Sequence, residues 1–448
     1  MKKAIIIGIV ILFIFTSFSG CLEEKKSDTD QKTNTEIAVE FMTEIQQGKL
    51  NVAYTYFSQS MKSQFSPSQF QTSWDTITSL YGSFEEIKDT NESVEDGYDI
   101  VFVNCTFSNN YYIIFKIVFE KSKEISGFWT GKIEPIHAYS APSYADTTSF
   151  YEEEIIVGRD PWVLPGTISI PKGEGPFPCI VLVHGSGPAD RDETVGANKP
   201  FKDIAWGLVS NEIIVLRYDK RTKVYPEETA LLKNLTLEEE IIYDVFAAIE
   251  LLKTKEKVNQ SQIFVLGHSL GAMTAPRIAK TNDNVSGIIM LAAPARGLED
   301  LIYNQTVYLA ELDGIIDENE LENIRIINES REKIQSLNIS EDDQVLGVYK
   351  SYWEYLDYYD PVNVAEGLTI PIMIIQGLRD YQVTYEDDYV IWNSTFSDSS
   401  NVFLKTYEGL NHLFIEGVGT PTNTEYLTEG HVAEEVIEDL AGFIKGEI

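Results

Sequence analysis

A short apolar run, Ile263-Phe264-Val265-Leu266, leads into Gly267-His268-Ser269-Leu270-Gly271 and then into Ala272-Met273, the start of a helical stretch. A chain that passes from buried strand to helix over so few residues turns sharply, and only small residues fit two places either side of the central serine. The turn lifts the serine hydroxyl at the carboxyl end of a sheet, over the positive end of a helix. Gly-x-Ser-x-Gly alone is a weak string that arises by accident. Between a buried strand and a helix it makes Ser269 a candidate nucleophile and calls for an α/β sheet around it.

The chain from about residue 150 supplies that sheet. Segments 153–157 and 163–170 read as a hairpin. Continuous Val/Ile/Leu runs follow at 179–183, 212–217, 262–266, 287–292, 370–376 and 401–407, with helical stretches at 201–210 and 237–252 between them. Unbroken apolar strands alternating with helices predict a mostly parallel sheet covered on both faces. Residues from 296 to about 360 interrupt the alternation with helical stretches at 298–312, 318–335 and 342–358, the pattern of a cap over the ligand end of the sheet. Its Tyr303, Tyr308, Tyr349, Tyr352, Tyr355, Tyr358, Tyr359 and Trp353 either line an acyl or aromatic pocket or pack the cap onto the body.

A serine needs a base to become nucleophilic, and the base needs an orienting acid. His412, in Gly409-Leu410-Asn411-His412, follows the strand ending at Tyr407. Asp380, in Gly377-Leu378-Arg379-Asp380, follows the strand through Gln376. The order Ser, Asp, His, each just beyond a strand's carboxyl end, is where an open α/β sheet presents ligands. His431 is the competing base, although it starts the terminal helix; Asp360 and Asp387 are weaker candidates for the acid. His268, next to the nucleophile, is expected to point away and pack. For the developing oxyanion, Val183-His184-Gly185-Ser186-Gly187-Pro188 after an apolar strand offers close-approaching backbone. The N–H of Leu270 is the expected first donor, with the N–H of Ser186 or Gly185 as the second.

These residues carry a resemblance. From about Glu153 onward the chain resembles the α/β-hydrolase superfamily, and more narrowly the serine carboxylesterases of secreted or thermophile type, related to dienelactone hydrolases and prolyl-oligopeptidase catalytic domains. Two further stretches support it: His184 through Glu193 (HGSGPADRDE) with Asn198-Lys199-Pro200-Phe201, and Leu216-Arg217-Tyr218-Asp219-Lys220-Arg221. The resemblance implies an enzyme that cleaves a small-molecule carboxylic ester of short to medium acyl chain through an acyl-enzyme. An aminopeptidase or amidase on the same triad is the alternative, and a non-catalytic binding protein on a hydrolase fold is a more distant one. A serine nucleophile sets aside the dehalogenase and cysteine-dependent branches, and the lack of a preceding propeller pattern disfavours endopeptidase chemistry. Asp190, Arg191, Arg217, Asp219 and Arg221 are expected to form one ion network that holds the oxyanion loop; separate surface pairs worth little each are the plainer reading.

Ahead of this, residues 35–135 read as a smaller α+β domain. Apolar residues recur at helical spacing through Ile37, Phe41 and Ile45 and again through Phe70, Trp74 and Ile77, and strand patterns follow at 98–107, 111–120 and 125–133. In element order it resembles the cone-shaped nuclear-transport-factor-like domains found before some secreted hydrolases. His137 reads as a surface residue in the linker beyond it. The first 21 residues, Lys2-Lys3, an apolar run and Ser19-Gly20-Cys21, have the build of a secretory signal and resemble a lipoprotein signal with Cys21 as the lipid-bearing residue. An uncleaved anchor is the alternative; either places the body outside the cytoplasm on a tether, 22–34, at the membrane. Asn-X-Ser/Thr sequons such as Asn234 and Asn393 are compatible with export or with composition bias.

Lys plus Arg number 35 against 70 Asp plus Glu, a net charge of −35. Such a field repels phosphate backbones and sets nucleic acid aside as a partner. Five histidines without HExxH, three cysteines without CxxC and the absence of a phosphate-binding Gly-Lys loop predict neither metal nor cofactor. Asp313, Asp317, Glu318 and Glu320 miss the EF-hand spacing and read as a solvated helix start. Nothing in the sequence sets the oligomeric state.

Overall fold

The computed structural model describes residues 32–95, 97–136 and 139–448. The candidate signal, Cys21, most of the expected tether and His137 lie outside the described residues. The chain divides into two compact units, Met1–Ala138 and Tyr139–Ile448.

In the first unit, α1 (Asn34–Gln46) starts at a Thr33/Glu36 capping box, which satisfies two orphan N–H groups at once. Two short helices, α2 (Leu50–Ala53) and α3 (Gln59–Gln64), lead to α4 (Pro67–Tyr81), capped the same way by Ser66 and Gln69 with Pro67 in its first turn. An antiparallel sheet follows in sequential order: β1 (Phe84–Glu95), β2 (Tyr98–Phe107), β3 (Tyr111–Phe119) and β4 (Ile125–Pro135). Helices and sheet share an aromatic core in which Phe41 meets Phe128 at 5.0 Å and Phe57 meets Phe70 at 5.2 Å between ring centroids. The strand β1 has no counterpart among the sequence expectations. It is an edge strand whose residues are mostly exposed and polar, so apolar alternation, the usual sign of a half-buried strand, is missing.

The second unit is an eight-stranded sheet in the order β14-β13-β10-β9-β7-β8-β6-β5. The hairpin β5 (Phe150–Arg159) and β6 (Trp162–Pro171) forms one edge, with β6 antiparallel to both β5 and β8. The other six run parallel: β7 (Phe177–Val183), β8 (Ile214–Tyr218), β9 (Val258–His268), β10 (Gly287–Leu291), β13 (Ile372–Gly377) and β14 (Val402–Tyr407). Alternate residues of each strand feed two cores. In β7, Cys179, Val181 and Val183 face α8 (Tyr243–Lys253) and α9 (Leu270–Thr281), while Ile180 and Leu182 face α5 (Pro200–Ser210) and α15 (Glu434–Lys445). Two short helices, α6 (Arg221–Val224) and α7 (Pro226–Ala230), follow β8. The connection after β7 leaves to β8 on one side and the chain returns to β9 on the other, so strand order reverses between β7 and β9. A crevice at the carboxyl ends opens at such a switch point.

The cap comprises α10 (Leu298–Glu311), α11 (Glu318–Gln335) and α12 (Lys350–Tyr358); α13 (Pro361–Glu366) and α14 (Val390–Phe396) return to the body. The expected third cap helix over 342–358 starts late. Residues 344–349 form a two-residue ladder, β11 (Gln344–Val345) against β12 (Val348–Tyr349), turning through Leu346 and Gly347, both at positive φ. Glycine in the middle of the segment favours that turn over a continued helix.

Candidate active site

The turn after β9 puts Ser269 at φ 53°, ψ −117°, a strained conformation for a residue with a Cβ. The flanking glycines are needed for contact. A Cβ on Gly267 would lie 2.1 Å from the Gly271 carbonyl oxygen, and one on Gly271 would lie 2.2 Å from that of Val183. Backbone cannot yield as a side-chain tip does. Gly271→Ala is expected to cost about 3 kcal/mol of stability, read as a drop in the urea midpoint at constant slope.

Beyond β13, Asp380 is buried and accepts from His412 Nδ1 at 2.6 Å through Oδ2, with Gln376 Nε2 on the same oxygen at 3.2 Å. Its Oδ1 accepts the N–H groups of Gln382 and Val383 at 2.8 and 3.0 Å. The loop after β14 that carries His412 is braced by Asn411, whose side chain accepts from Leu413 N and Ile415 N, and by the Arg379–Glu425 pair. The His412 ring sits 4.6 Å from the His268 ring, and its carbonyl is 2.9 Å from His268 Nε2, so the histidine loop lies against the serine turn. Among the described residues no hydrogen bond joins Ser269 Oγ to His412 Nε2; in unliganded sites this contact is commonly loose and tightens with substrate.

The competitors are occupied elsewhere. His431 Nδ1 is 3.0 Å from Asp203, which also takes the Tyr139 hydroxyl. Asp360 caps α13, and Asp387 pairs with Arg296. His268 does more than pack. Its Nδ1 lies 3.0 Å from Glu193 Oε2 in a buried ion pair bent away from hydrogen-bond alignment. Burial opposes charge on both groups, yet the His268 imidazole holds the Glu193 carboxyl below its usual range, and Glu193 holds His268 above its own.

One expected oxyanion donor is corrected. The Gly185 N–H donates to Glu193 Oε1 at 2.7 Å and is spent there. The N–H groups of Ser186 and Leu270 donate to no acceptor among the described residues. Gly185 still lies against the serine turn: a Cβ on it would come within 3.2 Å of Ser269 Cβ. Next to it, His184 is fully enclosed, with Phe201 and Tyr218 rings against it and Nε2 3.0 Å from the Asp190 carbonyl. Burial lowers its pKa from 6.5 to about 4. A histidine depressed in the folded state adds nothing at neutral pH. As pH falls from 6.5 towards 4 the unfolded chain takes its proton first, so folding loses up to about 3 kcal/mol. Urea unfolding at pH 7 and pH 4.5 should show that loss in the parent chain and not in His184→Asn.

The expected five-residue ion network separates into three ion clusters, with Asp190 outside all of them. Arg191 grips Asp219 with Nε and Nη2 at 3.1 and 3.0 Å and also reaches Glu154. Arg217, buried within β8, spans to Glu152 on β5 and to Asp192. Arg221, on the helix beyond, turns to Asp244 of α8 at 2.5 Å. Asp190 holds its own turn, accepting from Asp192 N and Thr194 N. The arginines leave from a strand, a loop and a helix, so their side chains head to different partners.

Three of the cap aromatics seat it on the body: Tyr352 donates to Glu240, Tyr355 to Glu238 and Tyr359 to the Met273 carbonyl, while Tyr358 is exposed. Tyr308 reaches the loop after β13, stacked 5.2 Å from Tyr381, the neighbour of Asp380. A cavity of about 420 Å³ under the cap is lined by Met273, Arg296, Trp353 and Tyr359, with no contribution from Ser269, Asp380 or His412.

Residues 178–416 match the family described as "Serine aminopeptidase, S33", and 38–128 match one described as "Protein of unknown function (DUF3887)". With the mostly parallel sheet and the serine turn in place, the chain belongs to the serine aminopeptidase S33 family of α/β hydrolases. It is 40% identical over 384 residues to Esterase EstD of Thermotoga maritima, covering 86% of this chain and 89% of that one. Among solved structures, Est1E from Butyrivibrio proteoclasticus is 18% identical, covers 66% of this chain and 98% of its own, and superposes with a TM-score of 0.42. Pyrococcus horikoshii acylaminoacyl peptidase is 13% identical, covers 80% and 56%, and has a TM-score of 0.45.

Proposed function

We propose that this chain is a serine carboxylesterase that cleaves small-molecule esters of short to medium acyl chain, with Ser269 as nucleophile, His412 as base and Asp380 as its orienting acid. The observation that carries it is the buried Asp380–His412 pair at 2.6 Å held against the strained Ser269 turn. Ser269 Oγ attacks the acyl carbon as His412 Nε2 takes its proton; the oxyanion draws on the N–H groups of Leu270 and Ser186. Collapse expels the alcohol, which receives the proton from His412. Water then attacks the acyl-enzyme by the same route and releases the acid. Asp380 fixes the imidazole through Nδ1 so that Nε2 is free.

The relative's esterase name supports the ester over the amide. So does the engagement of Glu193 by His268 and of Glu425 by Arg379, carboxylates that would otherwise suit a substrate ammonium. Hydrolysis of p-nitrophenyl acetate, butyrate and decanoate beside alanine p-nitroanilide tests the proposal. Ester turnover falling off at decanoate supports it; anilide turnover above ester turnover replaces it with an aminopeptidase. The N-terminal segment supports a location outside the cytoplasm, membrane-held through lipid on Cys21 or an anchor helix. Membrane release on Cys21→Ser distinguishes the two.

A further inference from the structure

Lys220 is 2% exposed and lies just past the end of β8. A buried ammonium needs both a counter-charge and acceptors for its protons. Its Nζ finds Glu240 Oε1 at 2.6 Å and the carbonyl oxygen of Gly185 at 2.8 Å. Glu240 is presented by a π-turn, Glu238–Ile242, and its other oxygen accepts from the cap's Tyr352 at 2.8 Å. The mechanism above makes no use of this lysine.

The carbonyl it holds has a consequence one bond away. The Gly185–Ser186 peptide is trans, because the cis bonds among the described residues are at Pro161 and Pro176. In a trans peptide the C=O and the next N–H point in opposite directions. A side chain that fixes the Gly185 oxygen on one side therefore turns the Ser186 N–H to the other. A cation on that oxygen also polarises the peptide and strengthens its N–H as a donor. On the preceding peptide, Glu193 takes the Gly185 N–H, and Glu193 stands at φ 50°, backbone strain retained where its carboxylate reaches. Two buried charged side chains thus hold successive peptides of the loop beside Ser269.

We propose that Lys220 is a positioning residue for the hydrolysis: from behind the loop it holds the Gly185 carbonyl and so aims the Ser186 N–H at the oxyanion. The proposal rests on Ser269 being the nucleophile. Glu240 keeps the ammonium in place, and Tyr352 ties that carboxylate to the cap.

The test is Lys220→Met with Glu240→Gln in the whole chain, so that no lone charge is left buried. In folded protein kcat for p-nitrophenyl butyrate falls about 30-fold, short of the 10²–10³ that deleting an oxyanion donor costs, with KM unchanged. The Ki of a trifluoromethyl ketone analogue rises in the same proportion, while inhibition by butyrate stays put. A folded double variant with kcat within about threefold of the parent, or a loss confined to KM, overturns the proposal. Ser269→Ala is run beside it. Activity in Ser269→Ala sinks the nucleophile assignment itself, whereas a dead Ser269→Ala with a fully active double variant sinks only the role of Lys220. Should the double variant not fold, a crystal structure of the parent chain's phosphonate adduct decides. The adduct oxygen is expected on Ser186 N and Leu270 N with Lys220 still on the Gly185 carbonyl; an oxygen drawing on other donors overturns it.

Discussion

Ser269→Ala is expected to lower kcat on p-nitrophenyl esters by about 10⁶, the loss seen when a triad serine is removed and only binding and the oxyanion donors remain. Fold and stability should be nearly unchanged. The side chain is small, it makes no capping bond to α9, and the strain at φ 53° belongs to the backbone, which alanine inherits. The urea midpoint should therefore stay within a few tenths of a molar of the parent. A large fall in stability together with activity would mean that Ser269 is a structural element of the turn and not its reactive tip.

Asp380→Asn gives the second largest effect, a fall in kcat of about 10⁴ with KM nearly constant. The two carboxylate oxygens have separate duties, which the substitution separates. Oδ1 accepts the N–H groups of Gln382 and Val383, and an amide oxygen can go on doing so. Oδ2 accepts from His412 Nδ1, and an NH₂ in its place faces that nitrogen as a donor. His412 then keeps its acceptor nitrogen towards residue 380 and carries its proton on Nε2, where it cannot take one from serine. The Gln376 Nε2 that now donates to Oδ2 meets a second donor as well. The measurement is kcat and KM of the variant beside its thermal midpoint: loss of activity without loss of fold is expected. A variant that stays within tenfold of the parent would move the acid's role to another residue.

The parallel core of the fold was legible because burial on both faces leaves an unmistakable trace, runs such as Ile372-Met373-Ile374-Ile375 with no polar interruption. The serine turn was legible because glycine is forced there by contacts of 2.1 and 2.2 Å, and contact of that kind is written into residue type. The edge strand β1 was not legible, since solvent on its faces lets charged residues occupy it. The ladder at 344–349 was hidden by its length. At the site, sequence order pointed to Asp380 and His412, and the structure brings the two together. It could not point to Glu193, Lys220 or Glu240. A buried charge looks, in sequence, like any surface charge, and what distinguishes it is a partner far along the chain: His268 for Glu193, Gly185 and Glu240 for Lys220. The same limit explains Gly185, whose N–H is free for the oxyanion by sequence alone but is taken by Glu193 in the fold, and the arginines, whose partners Glu152, Glu154 and Asp244 lie on other elements.

The most direct measurement is active-site trapping with a fluorophosphonate, followed by peptide mapping and residual ester hydrolysis on the same sample. A single adduct on Ser269, formed in step with complete loss of activity and not formed in His412→Ala, is the predicted result. An adduct on another residue, or full ester turnover after Ser269 is stoichiometrically modified, would contradict the assignment of Ser269 as the nucleophile.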